Sequence, residues 1–157
     1  MSVAESETAP QPPAIEGIHH LKFAVADPER SLAFYEAVFG AQRMPAADHR
    51  DADGRIYAYI CDVPGFGTKL DLRLSEEHAQ AARRFDPITL NIADREALGA
   101  WVKHLDALGV AHSGEIVTAL AFMLVLEDPD GRRIRLYTRE KHGPEIAGQK
   151  DHPWMQL

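Results

Sequence analysis

The sequence lacks three features that would mark particular classes of protein. It has one cysteine, Cys61, among 157 residues, so it can form no intrachain disulfide and does not indicate a zinc ribbon. No apolar run approaches the ~20 residues of a membrane-spanning helix. Basic residues are in the minority, with 17 Lys and Arg against 24 Asp and Glu and a net charge of −7. Neither a nucleic-acid partner nor an anionic-membrane partner is expected, because both need a basic surface.

The first residues contain neither the basic segment nor the apolar segment of a secretory signal. Pro, Ser, Glu and Ala dominate residues 1–14, which we predict to be a disordered leader. With 45% apolar and 26% charged residues, the remaining chain has the composition and length of one domain with a real core. The expected location is the cytoplasm.

Residues 15–75 are predicted to form one β-α-β-β-β unit, module one. In "GIHHLKFAVAD" the side chains alternate, which places His20 and Lys22 on one face of a strand and apolar side chains on the other. A helix follows, because Asp27 can cap its start and Gly40 suits its left-handed exit. The turn signals "DADG" and "PGFG" precede two further strands, and "TKLDLRL" alternates cleanly.

The same order recurs in residues 86–140, module two, after a short, polar, helix-prone connector at 76–85. "PITLNIAD" is predicted to be a strand, and a helix runs from its cap Asp94 to its exit at Gly109. "GEIVTAL" and "AFMLVLED" are strand-like, and "PDG" turns the chain into "RRIRLY". The chain is therefore predicted to be an α+β protein built from two tandem βαβββ modules.

The two modules are also similar in detail, as expected of an internal duplication. Aligning "PGFGTKLDL" with "PDGRRIRL" through Gly67 and Gly131 pairs Asp71 of module one with Arg135 of module two. A polar tail at 141–157 follows the second module, and the sequence does not decide whether it docks on the core or on a second subunit.

Two stretches, "HLKFAVADPERSLAFYEAVFG" and "DPDGRRIRLY", resemble the vicinal oxygen chelate superfamily, which includes glyoxalase I, bleomycin-resistance proteins and extradiol dioxygenases. The resemblance covers residues 16–140. It implies that the two modules form curved mixed sheets around a cup, with the helices outside. A homodimer is usual in such families and is expected here, with the modules paired either within one chain or across the dimer.

The resemblance also implies places for metal ligands on the first and last strands of each module. His20 and Asp71 stand at the places in module one, but Pro87 and Arg135 stand at those in module two. Proline has no ligating side chain and arginine stays charged, whereas such sites need three protein ligands. Alternation predicts that His19 points to the opposite face from His20. No cofactor is therefore expected, and a divalent metal, if bound, would use His20 and Asp71.

The faces predicted to line the cup carry more positive than negative side chains. Desolvating unpaired charge of one sign is costly, so we predict that the cup binds a small anionic or carboxylated organic molecule. Arg135 is predicted to hold the anion with its forked donors, and His20 to act as acid or base. The predicted substrate-binding residues are Lys22, Tyr57, Tyr59, Asp71, Arg73, Thr89, Asn91 and Tyr137.

Other interpretations of these residues stay open. Asp71 and Arg135 would form an ion pair that fills the vacated metal position, His20 would be a hydrogen-bonded structural histidine, and the tyrosines would pack in the wall. The scattered histidines, including His49, are predicted to be solvated surface residues.

Three classes of function are compatible with the sequence. The first is an enzyme that works without the full metal set, and the second is a protein that only sequesters its ligand. The third is a metal-dependent lyase, isomerase or dioxygenase whose ligands have moved. Fold alone does not choose between them, because one fold supports many chemistries.

Overall fold

The structure, a computed structural model, describes residues 9–155. Residues 1–8 of the predicted leader and residues 156–157 of the predicted tail lie outside the described residues. Among the described residues the strands are β1 His20–Val25, β2 Gln42–Arg43, β3 His49–Arg50, β4 Ile56–Asp62, β5 Lys69–Leu74, β6 Ile88–Ile92, β7 Ile116–Val117, β8 Ala121–Glu127 and β9 Arg133–Lys141. The α-helices are α1 Pro28–Phe39, α2 Glu76–Ala81 and α3 Arg95–Leu108, with short 3-10 turns at Pro45–Ala47 and Pro153–Met155.

The strands form two mixed sheets of equivalent topology, one for each module. The order is β1-β5-β4-β2 in module one, with β3 also paired to β4, and β6-β9-β8-β7 in module two. In each sheet the first strand runs parallel to the last, with Lys22 beside Asp71 in one and Thr89 beside Arg135 in the other. The predicted α+β class is confirmed, and Asp71 and Arg135 occupy equivalent places.

Helices α1 and α3 begin and end where the sequence predicts. Asp27 accepts a hydrogen bond from a backbone N–H in the first turn of α1, and Asp94 does the same for α3. Gly40 and Gly109 follow the helices with φ angles of 69° and 66°, a left-handed conformation that favours glycine. These local signals explain why both helices were predictable.

Both helices and the apolar faces of both sheets contribute to one core. Leu72 of module one and Leu124 and Leu136 of module two belong to the same buried cluster, together with Tyr35 of α1 and Leu98 of α3. Each fully buried leucine contributes about 1.5–3 kcal/mol. The opposite side of each sheet faces away from the helices and is the side predicted to line the cup. We call it the outer face of the sheet. It carries polar residues in both modules.

Side chains of the turn before β9, which belongs to module two, bond to module one. Asp128 accepts hydrogen bonds from the hydroxyl of Tyr35 at 2.9 Å and from Nη1 of Arg132 at 2.7 Å. Arg132 also donates to the carbonyl of Ala24 and lies over the ring of Phe23, 4.6 Å from its centroid. Burial raises the pKa of Tyr35 well above its ordinary value, so the phenol keeps its proton and donates. "DPDG" is therefore a junction between the modules as well as a turn.

The polar connector contains α2, in keeping with its helix-prone sequence. The described part of the tail lies on module two of the same chain, where Trp154 and Met155 pack on its outer face. No helix in residues 9–155 has the length and apolar character needed to cross a membrane.

Candidate functional site

The outer face of module one holds a pocket of about 340 Å³. Strand pairing brings its residues together, because β1 and β5 run parallel and β4 lies antiparallel to β5. One wall comes from the segment before β4, where His49 of β3 pairs with Ala58. The pocket is lined by His19, His20, Lys22, Ala47, His49, Ile60, Lys69, Asp71 and Arg73.

A chain of three polar side chains crosses this pocket. Nη2 of Arg73 donates to Oδ2 of Asp71 at 2.9 Å and lies 2.9 Å from Nδ1 of His49. Because a guanidinium can only donate, Nδ1 of His49 is the acceptor, and the neutral ring carries its proton on Nε2. Asp71 is only 1% exposed, whereas the side chain of Arg73 is 31% exposed. Nη2 of Arg73 is therefore held by both partners, and the partly exposed side chain lines the pocket.

Two buried polar atoms of these three side chains have no hydrogen-bond partner among residues 9–155. They are Oδ1 of Asp71 and Nε of Arg73. An unsatisfied buried polar group costs about 1–3 kcal/mol. In an ion pair with a purely structural role, buried polar atoms usually have hydrogen-bond partners. Asp71 and Arg73 therefore form an ion pair with unused hydrogen-bonding capacity on both partners.

His19 and His20 lie side by side at the mouth of the pocket. Their Nδ1 atoms are 3.0 Å apart, and the two rings meet edge to face with centroids 5.2 Å apart. The prediction that they point to opposite faces is wrong. Strand β1 begins at His20, so His19 precedes the strand and the alternation of side chains does not apply to it.

The two tyrosines predicted to contact substrate lie in different environments. The ring of Tyr57 lies 5.7 Å from that of His49, with the guanidinium carbon of Arg73 5.6 Å from its centroid. Tyr59 is 5% exposed in the core, beneath the guanidinium of Arg43 at 4.7 Å. Tyr59 pairs with Leu72 and shares its inward direction, which places it apart from the pocket.

The predicted site residues of module two lie on the other sheet. Arg135 forms an ion pair with Asp86, and the hydroxyl of Tyr137 lies 2.7 Å from Oγ1 of Thr118. Thr89 and Asn91 are exposed on the edge strand β6, beside a mainly apolar groove of about 690 Å³. The structure thus brings His20 together with Lys22, Asp71 and Arg73, but not with Arg135.

This distribution also decides between alternatives left open by the sequence. Asp71 pairs with Arg73 and Arg135 pairs with Asp86, so the alternative Asp71–Arg135 ion pair does not form within the described chain. Arg135 is thus paired with a carboxylate of its own module, and its Nε, like that of Arg73, is buried without a hydrogen-bond partner among residues 9–155.

His49 is the member of the polar chain with Asp71 and Arg73 that was predicted to be a solvated surface residue. It lies in a two-residue strand, too short for any periodic pattern. The available signal is the hairpin turn at 51–54, which sets His49 opposite Ala58 and so on the same face as Arg73. A bulge between His49 and Arg50 shifts this register, which simple counting across the turn does not reveal.

Cys61 is fully buried in β4. Burial raises the pKa of its thiol to about 11. Since the thiolate is the reactive form, this cysteine is not a nucleophile.

The pocket residues do not fit the metal that the family resemblance implies. The positions for ligands hold His20, Asp71, Pro87 and Arg135, and Asp71 already pairs with Arg73. In residues 9–155, no three or more His, Cys, Asp or Glu side chains are grouped so that they could hold a metal ion. Catalytic sites for such metals use three protein ligands, and one chain does not assemble them here.

Comparisons with known proteins agree with this architecture. The chain is 28% identical over 132 residues to the protein named Putative ring-cleaving dioxygenase MhqA of Bacillus subtilis strain 168, across 81% of this chain and 42% of that protein. It therefore spans less than half the length of MhqA. It is 31% identical over 135 residues to the metallothiol transferase FosB of Bacillus licheniformis, across 79% of this chain and 76% of FosB.

A solved structure gives the same answer for the fold. It is a mutant of the fosfomycin resistance protein FosX from Listeria monocytogenes, in complex with Mn(II) and 1S,2S-dihydroxypropylphosphonic acid. It matches with a TM-score of 0.64 at 18% identity, across 79% of this chain and 93% of FosX. The family model itself matches residues 17–136. The chain therefore belongs to the Glyoxalase/Bleomycin resistance protein/Dioxygenase superfamily.

Proposed function

We propose that the protein binds a small anionic organic molecule in the pocket of module one. The observation that carries this proposal is the arrangement of Arg73, a partly exposed side chain that lines the pocket and whose guanidinium is held by Asp71 and His49. Lys22 adds positive charge to the lining, and Lys69 is paired with Asp62 at the rim. A pocket of this charge in a protein of net charge −7 is suited to an anion.

Arg73 takes the role that the sequence predicted for Arg135. A guanidinium held by a carboxylate on one side presents its remaining N–H groups in a fixed direction, which suits a carboxylate or phosphonate. His20 is exposed at the mouth and is the candidate acid or base, since a histidine exchanges protons near neutral pH. The ligand in the FosX complex is a small phosphonic acid, which motivates a phosphonate as the probe.

Calorimetric titration with propylphosphonate tests this proposal. Arg73→Met removes the forked donor and is expected to weaken binding by about tenfold or more, because hydrogen bonds to charged groups contribute about 1.5–3 kcal/mol. Lys103→Met is the matched control, since it removes one positive charge from an exposed position of α3. Equal affinities for wild type and Arg73→Met would contradict the proposal.

A homodimer is part of the same proposal. Strands β1 and β6 each lie at one edge of their sheets in the described chain, and an unpaired edge is a template for pairing with another chain. Ile15 and Ile18, before β1, are 89% and 68% exposed. Pairing of these edges between copies would bring the module-one pocket of one chain near module two of the other.

Light scattering on the eluting protein tests the dimer. The expected mass is about twice the 17.4 kDa of one chain, and Ile18→Glu is expected to lower it. Because Ile18 is mostly exposed within one chain, this variant should keep the circular dichroism spectrum of wild type. A monomeric wild type would contradict the proposed dimer but not ligand binding by module one.

A metal-dependent enzyme is the second candidate, favoured by the 31% identity to a metallothiol transferase. Elemental analysis after incubation with zinc, nickel, manganese and ferrous iron separates the two. About one equivalent per chain would place the protein in the metal-dependent class. Our proposal predicts propylphosphonate binding that a chelator does not change.

A further inference from the structure

The tail covers the outer face of module two, the counterpart of the face that carries the pocket in module one. Trp154 and Met155 pack on Ile116, Met123 and Val125. Residues Met123 and Val125 lie beside Tyr137 and Arg135 in the sheet, so the tail lies on the face predicted to meet a ligand. The chain itself thus places an aromatic ring there.

Arg133 holds Trp154 in two ways. Its guanidinium carbon lies 4.8 Å from the centroid of the indole ring, and its Nη1 donates to the carbonyl oxygen of Trp154 at 3.2 Å. Arg133 is 8% exposed, and its Nε lies 3.4 Å from a carboxylate oxygen of Glu127. A guanidinium that contacts a ring face and an adjacent oxygen combines cation–π attraction with a charge-assisted hydrogen bond.

The other residues around Trp154, which together with Arg133 we call the recess, suit the same kind of group. Its floor is apolar, formed by Ile116, Met123 and Val125. Tyr137 closes one side, and its hydroxyl is held by Thr118 at 2.7 Å. Ligand sites commonly combine an apolar floor with a few fixed polar groups.

The tail reaches this recess along β7, after His142 bonds to Thr118 and Ile146 packs on the core. Gln149 and Val117 exchange two hydrogen bonds, with lengths of 2.8 and 2.9 Å. Beside them the backbone of Gly148 passes so close to Thr118 that an added Cβ would lie 2.8 Å from its carbonyl group. Most of the tail is otherwise polar and exposed. Its attachment depends on a close approach that only glycine permits.

We infer that the outer face of module two is a second binding site, for a planar aromatic compound that carries a carboxylate, and that Trp154 occupies it as an internal ligand. The ring takes the place of the indole on Ile116, Met123 and Val125. The carboxylate takes the place of the Trp154 carbonyl on Arg133. It sets a full negative charge opposite the guanidinium, in place of a neutral carbonyl. This site is separate from the module-one pocket and needs no second chain.

The test uses phenylacetate as the probe and Trp154 as the reporter. Trp101 of α3 is the other tryptophan, so the full chain is studied as Trp101→Phe. Phenylacetate is expected to displace the indole and shift Trp154 emission to longer wavelength. Cyclohexylacetate, which has the carboxylate but no aromatic face, is expected to shift it much less.

Gly148→Val tests the competition by a change in the tail itself. It should loosen the tail and lower the dissociation constant of phenylacetate about tenfold in calorimetry, because the competent state becomes more populated. Trp154→Ala should act in the same direction by a different route. Lys150→Ala, at an exposed tail position, should leave the affinity unchanged. Thermal melts of each variant verify the fold.

The role of Arg133 is tested in the Gly148→Val background, where Arg133→Met should abolish phenylacetate binding and Arg73→Met should not. Two results would overturn the inference: phenylacetate affinity that Gly148→Val and Trp154→Ala leave unchanged, or loss of binding that follows Arg73→Met alone. The second result would leave the module-one proposal standing.

Discussion

The outer faces of the two modules have the same strand topology and different contents. In module one the face is open, and Asp71, Arg73 and His49 form a charged pocket. In module two the equivalent face is covered by Trp154, which rests on apolar side chains. The register of the strands decides which side chains point outward, and it is the same in both sheets. A duplicated scaffold therefore fixes directions, while the residues at equivalent places decide what each face binds.

The turns that precede the last strand of each module differ in the same way. In module one Asp62 forms an exposed ion pair with Lys69. In module two the ion pair of Asp128 with Arg132 is almost completely buried, with side chains 0% and 2% exposed. The first turn is a local connection, and the second one holds the two modules together.

The largest expected effect is at that second turn. Asp128→Asn leaves Arg132 buried without a carboxylate partner and should lower the free energy of unfolding by about 3–5 kcal/mol. Urea denaturation measures this loss, with the slope of unfolding free energy against urea expected to stay unchanged. Asp62→Asn, the matched change in module one, should cost less than about 1 kcal/mol because its partner is solvated. Similar costs for both variants would contradict the difference between the turns.

A smaller effect is expected at the equivalent positions Asp71 and Arg135. Asp71→Ala removes a buried partner of Arg73 and should lower the free energy of unfolding by about 1–3 kcal/mol. Arg135→Ala removes an ion pair whose side chains are 26% and 17% exposed, and should cost about 1 kcal/mol or less. Chemical denaturation of both variants compares them directly. A larger loss for Arg135→Ala would contradict this prediction. It would mean that the ion pair of Arg135 with Asp86 stabilises the fold more than that of Asp71 with Arg73.

The smallest expected effect concerns the pH dependence of tail docking. Hydrogen bonds from His142 to the carbonyls of Gly143 and Thr118, at 2.9 and 2.8 Å, raise the pKa of its ring, and the nearby Glu145 acts in the same direction. A raised pKa in the docked state means that this stabilisation is complete below the ordinary pKa. It is lost as pH rises through the raised one.

In the Trp101→Phe protein, Trp154 emission should therefore shift toward that of exposed tryptophan as the pH rises across this range. His142→Gln, which cannot gain the charge, should remove the shift. A shift that persists in His142→Gln would assign the pH dependence to another group.

Much of this molecule follows from short stretches of sequence. The caps Asp27 and Asp94 and the exits Gly40 and Gly109 predict α1 and α3, because each signal is contained within one helix. Alternation in "TKLDLRL" predicts correctly that Asp71 and Arg73 share a face. The prediction failed for His19, which lies one residue before its strand, and for His49, which lies in a strand of two residues. Periodicity carries no information at such positions.

The sequence by itself determined the duplicated α+β fold, the family and the direction of most strand side chains, since turn chemistry and alternation act over a few residues. Only the tertiary structure decided which of those side chains meet. Asp71 pairs with Arg73, Arg135 pairs with Asp86, and Trp154 contacts Arg133. A carboxylate can pair with any nearby cation, so its partner is fixed by the packing of strands, loops and tail. No local pattern encodes that choice.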